Sequence, residues 1–130
     1  MSDYNPKHRS VVTVTVTTSD IVIGGQLLVV SGDGTVAAAT GESAAYVGVA
    51  LADAVSGGYV AMEARGAVHV STASGAVIAG DQLVTASGGK VAALAAATAD
   101  AAADINDARS VVGVALTSAS NAATVEWMQF

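Results

Sequence analysis

The chain has 130 residues and a mass of 12.6 kDa, and 29 alanines and 21 valines supply most of its 52% hydrophobic content. Five basic residues against 11 acidic ones give a net charge of -6, which repels phosphate backbones and argues against nucleic-acid binding. There is no cysteine, so disulfide frameworks, thiol catalysis and Cys-based zinc sites are excluded, and no apolar run is long enough for a membrane span.

Low charge with high hydrophobic content is also the reverse of a disordered composition. One domain is the natural expectation at this length. Alanine and valine contribute little transfer energy each, so a protein of this make-up is expected to lean on association with copies of itself for part of its stability.

Residues 1–10 differ in kind from the rest of the chain. They are polar, carry the only proline (Pro6) and gather Lys7, His8 and Arg9, with no apolar signal region. Two readings stand: a frayed terminus, or an extended arm ordered on a partner, with Tyr4 as its anchor and the basic cluster meeting an acidic surface.

The body, 11–130, reads as a single β domain. Valines 12, 14 and 16 alternate with threonines 13, 15 and 17, the period of a half-buried strand. Val22-Ile23-Gly24-Gly25-Gln26-Leu27-Leu28-Val29 then returns as Val77-Ile78-Ala79-Gly80-Asp81-Gln82-Leu83-Val84, at an offset of 55. Tyr46-Val47-Gly48-Val49-Ala50-Leu51 returns as Val111-Val112-Gly113-Val114-Ala115-Leu116, at an offset of 65. The halves, about 21–66 and 76–130, therefore share one plan, and two copies are too few for a solenoid.

Within each copy an apolar strand runs into a tight turn, Ser31-Gly32-Asp33-Gly34 or Ser87-Gly88-Gly89-Lys90, and then into a return strand. Gly48 and Gly113, central in the next strand, signal a bulge or a close backbone approach. The second copy also carries an Ala-rich insertion, 93–108, without a clean helical period; a short helix and an irregular loop are both open. The expected fold is all-β, a small barrel or β-clip-like structure from two pseudo-repeated halves, with at most one short helix.

Reactive constellations are missing. His8 and His69 lie in no ligand spacing, and His69 in Val68-His69-Val70 reads as a polar-face or interface histidine. Gly88-Gly89-Lys90-Val91 lacks the Ser or Thr and the first glycine of a phosphate loop, and no nucleophile elbow is present. Asp100, Asp104 and Asp107 read as a solvated face rather than a cation site. No catalytic residue, cofactor or metal is therefore expected. The large residues crowd the ends. Tyr4, Trp127 and Phe130 either close the barrel or anchor a partner, so Tyr4, Lys7, His8, Arg9, Trp127 and Phe130 are the candidate partner-binding residues.

These glycine-punctuated blocks, Ile23-Gly24-Gly25-Gln26, Tyr46 to Asp53, Ala64-Arg65-Gly66, Gly80-Asp81-Gln82 and Val111 to Leu116, resemble the capsid cement, or head decoration, proteins of tailed bacteriophages. The resemblance covers about residues 11 to 130 and departs at the alanine-rich insertion. It implies a small β-rich virion protein, homotrimeric, bound to the major capsid protein on the outer surface of the head and stabilising the shell without catalysis. The alternatives are another repeated virion component, such as a tail-tube or fibre subunit, and an enzyme or carbohydrate-binding module on a β-clip-like barrel.

Overall fold

The period-two valines and threonines and the glycine turns lay the chain out as ten strands and one helix among the described residues, which are 4, 7, 13–64, 66–96 and 101–130 of a computed structural model, with backbone alone at Ala101 and Ala103. The first half holds β1 (Thr13–Thr18), β2 (Leu27–Gly32), β3 (Thr35–Ala38), β4 (Tyr46–Ala50) and β5 (Tyr59–Glu63). The second half holds β6 (Val68–Thr72), β7 (Gln82–Ala86), β8 (Lys90–Ala93), α1 (Ala101–Arg109), β9 (Gly113–Ala115) and β10 (Thr124–Gln129).

The first five strands close into a barrel in the order β1-β3-β2-β4-β5, with β1 antiparallel to β5 and parallel to β3. The second five repeat that order as a sheet, β6-β10-β9-β7-β8. Its ends meet through one parallel bridge, Ala73 to Val91, at the place where Thr18 meets Val36 in the barrel. The bridge Val22 to Ala54 likewise has a counterpart in Val77 to Ala119.

Gly48 and Gly113 explain why both copies contain Val-Gly-Val. A Cβ on Gly48 would collide with the carbonyl oxygen of Glu63, and one on Gly113 with that of Met128 and, at 2.7 Å, with the Trp127 ring. The neighbouring strand therefore lies closer than any side chain allows. Beside Gly48 the β2–β4 register also shifts by one residue, which is a bulge.

Alternation sends Leu28, Ala50 and Met62 into the barrel, where they pack with Val22, Val36 and Val60. Their neighbours Leu27 and Val49 point the other way and join Leu83, Val91, Val125 and Trp127 in a core that both halves share. The β7–β8 turn seals this seam, since Leu27 N–H donates to Gly89 O and Gly89 N–H to Ala39 O, both at 2.9 Å. Shared burial of this kind, about 1.5–3 kcal/mol per large aliphatic side chain, ties the halves into one unit.

The insertion contains the short helix α1, with Asp104 in its first turn and Arg109 in its last, each at the end its charge favours. Ile105 is exposed and the helix lies on the surface. Asp100, expected on a solvated face with Asp104 and Asp107, lies outside the described residues.

Candidate functional site

Of the N-terminal candidates, Tyr4 and Lys7 rest on the chain's own body. Tyr4 N–H donates to Leu51 O of the first half, and the Tyr4 ring lies against Gly25. Its hydroxyl reaches the second half, accepting from Val70 N–H at 3.1 Å and lying 2.7 Å from Nδ1 of His69. Tyr4 thus pins the seam between the two copies. Lys7 pairs with Glu126 of β10. The anchor and one of the three basic residues expected to meet a partner are engaged within the chain itself, while His8, Arg9 and the rest of residues 1–10 lie outside the described residues.

Trp127 requires a correction. It is wholly buried, its Nε1–H donating to Ser71 Oγ at 2.9 Å, in the space that Gly113 leaves open. A ring with no exposed surface cannot anchor a partner. Phe130, by contrast, is 51% exposed and lines an open cleft with Tyr46, Arg109 and Val112.

His69 also departs from the expectation for its strand. Alternation does place it opposite Val68 and Val70, but its face is the inner one, and Val70 is left exposed. The polar interior is satisfied by a chain of hydrogen bonds. Tyr4 O–H donates to His69 Nδ1, His69 Nε2–H donates to Gln129 Oε1 at 2.9 Å, and Gln129 Nε2–H donates to Ala64 O at 2.7 Å. Burial pushes the His69 pKa down to about 4, against a smaller raising effect from Gln129. Burial likewise pushes Tyr4 up to about 12, with Val70 N–H opposing and the Glu63 carboxylate adding to the rise.

At the foot of α1, partial burial and the adjoining Asp107 carboxyl push Glu42 above its ordinary value, and Ser110 pulls it back. Among the described residues no three His, Asp or Glu side chains gather as a metal site, and no helix is long and apolar enough to cross a membrane. What the surface does offer is apolar side chains in water. Ile21, Ile23 and Val55 line one shallow, open cleft of about 190 Å³ where the loops after β1 and β4 meet. Periodicity and motif spacing do not single these residues out. The signal was present in the comparison of the two copies, where Ala76 and Ser120 stand at the places of Ile21 and Val55.

A family of sequences described as phage cement protein matches residues 6–129, both halves of the duplication included. No curated protein matches the chain. Among solved structures it is similar to the N base of the head fiber protein gp8.5 of bacteriophage phi29, with 21% identity, 92% of this chain and 93% of that one covered, and a TM-score of 0.64. At that identity the likeness is one of fold.

Proposed function

We propose, because the chain belongs to the phage cement protein family, that this capsid-associated structural protein of the virion binds the outer surface of the assembled head across junctions between major capsid protein subunits. The observation that carries the reading is the family match over both halves of the fold. Exposed β-branched side chains on rigid loops support it, since such groups favour a macromolecular surface over solvent.

The mechanism is binding alone. A molecule that binds only the assembled shell stabilises that shell by mass action, and repetition over the lattice multiplies a modest energy per copy. Homotrimers fit this scheme, because three linked copies engage the lattice with far greater avidity than one.

Cosedimentation of the purified protein with undecorated heads tests the function. The expected result is saturable pelleting with heads and a raised temperature of DNA release. Failure to pellet at micromolar concentration removes the proposal. Light scattering of the free protein and the copy number on saturated heads test the trimer.

A second reading, the base of a head fibre, is favoured by the fold likeness to the phi29 head fiber base. Negative-stain images of virions separate the two, as knobs on the head or as filaments rising from it.

A further inference from the structure

We propose that the face formed by Ile21, Ile23 and Val55 is the one that meets the capsid shell, and that it receives an apolar protrusion of the shell protein flanked by lysine or arginine. The inference rests on the cement function proposed above and names the surface and the chemistry of its partner.

The three side chains are 66%, 55% and 71% exposed. They are held by a rigid frame. Val22 and Ala54 exchange two backbone hydrogen bonds of 2.9 Å, Gly24 N–H donates to Asp53 Oδ1 at 2.8 Å, and Ser56 Oγ–H donates to Ser19 O at 3.1 Å. Because the segment is extended, Val22 turns inward to complete burial, and its neighbours Ile21 and Ile23 are turned outward together. The face is therefore preorganised, which lowers the entropic cost of binding.

The fold itself does not need these residues. The second half makes the same bridge, Val77 to Ala119, with Ala76 and Ser120 in place of Ile21 and Val55. Two large apolar groups kept in water in one copy, where a small and a polar residue serve in the other, mark a surface with a partner. Of the other clefts, the one beside Val16, Val30 and Val47 is also apolar but lies on the wall of the barrel with a single half-exposed valine, and two more are mixed in character. The seam cleft is lined by Tyr4 together with Gln26, Ser71, Thr72 and Lys90, and the cleft under Phe130 by Ser43, Arg109 and Ser110.

Charge selects the partner. The loops 19–26 and 51–58 contain Asp20 and Asp53 and no lysine or arginine, on a chain whose net charge is -6. The same face of a second copy would set like charges opposite one another, whereas a basic rim on the shell complements them.

The test is cosedimentation with undecorated heads, comparing the wild type, the double variant I21A/V55S and the control Ile78→Ser. The double variant installs the residues that the second half already carries on the same backbone plan, so it folds, as circular dichroism checks. The expected result is a loss of at least about tenfold in head affinity for I21A/V55S, none for Ile78→Ser, and weaker wild-type binding in added salt. Wild-type affinity in the folded double variant, or an equal loss in Ile78→Ser, overturns the assignment of the face while leaving the cement function standing. Binding indifferent to salt overturns the basic rim. A wild type that does not pellet at all refutes the function itself.

Discussion

The hydroxyl of Tyr4, near the start of the chain, lies 2.7 Å from Nδ1 of His69, a wholly buried residue of β6, the first strand of the second half. The tautomer is fixed from the other side of the ring. Gln129 Nε2–H donates to Ala64 O, so Gln129 Oε1 faces Nε2 and accepts its proton, and Nδ1 is left to accept from the Tyr4 hydroxyl, whose oxygen accepts from Val70 N–H. A protonated ring would place a donor against that hydroxyl as well as a charge in the interior.

Acid sensitivity is the consequence. The His69 pKa of about 4 lies below the 6.5 of a free imidazole, so the folded state binds fewer protons than the unfolded state between those values. The associated stability is whole above pH 6.5 and is lost as the pH falls towards 4, about 3 kcal/mol in all. Glu42, whose carboxyl is raised, acts with the opposite sign in acid. Comparison with His69→Gln therefore isolates the histidine. Urea midpoints of the variant should fall less steeply than those of the wild type between pH 6.5 and 4, and parallel curves would remove His69 as the cause.

Gly113→Ala should be among the most damaging single substitutions. Its Cβ meets the Met128 carbonyl and, at 2.7 Å, the Trp127 ring, both held in the core. A strand pair forced apart there loses about 3 kcal/mol. Gly41→Ala, with nothing near its added methyl, is the control and should change stability by less than about 0.5 kcal/mol. Equal urea midpoints for the two variants would show that the strands can separate without cost.

The strands and their duplication were legible because β-branched periodicity is local and the two copies repeat at constant offsets. Gly48 and Gly113 were legible as close approaches for the same reason. Trp127 was legible only as an open choice, because terminal position allows closure of the barrel and exposure to a partner alike, while the space for its ring is created by Gly113 on another strand. The offset of 65 that pairs Trp127 with core residue Met62 was the available clue. His69 shows the limit of alternation, which assigns faces but not which face is inside. The inner face of β6 is polar here because Tyr4, Trp127 and Gln129 bring partners from distant segments. The candidate shell-contact residues Ile21 and Val55 sit in all-apolar or mixed stretches where no hydrophobic pattern marks the outer face, and they stand out only against Ala76 and Ser120.

The two described residues of the N-terminal segment should differ in weight. Tyr4→Phe keeps the ring but strips Val70 N–H and His69 Nδ1 of their partner, a loss of about 1–2 kcal/mol. Lys7→Ala removes an ion pair with side chains 52% and 30% exposed, and such pairs contribute at most about 1 kcal/mol. Thermal melts at two salt concentrations should show a small, salt-sensitive effect for Lys7→Ala and a larger, salt-insensitive one for Tyr4→Phe. The reverse order would mean that charge, not the Tyr4 hydroxyl, holds the segment.

Ala122 offers a gain. Its φ is 67°, the left-handed region, at the place where the first half has Gly57 with φ 78°. The hydrogen bonds correspond as well, Ala122 N–H to Ala73 O and Gly57 N–H to Thr18 O. An L-residue in that conformation is disfavoured by about 1–2 kcal/mol, whereas glycine adds about 0.4–1 kcal/mol of unfolded-state entropy. The difference favours glycine, so Ala122→Gly should raise stability by about 0.5–1 kcal/mol and Gly57→Ala should lower it by a similar amount. Both are read as shifts of the urea midpoint at constant slope, and a destabilised Ala122→Gly would show that the turn of the second copy imposes no strain on its alanine.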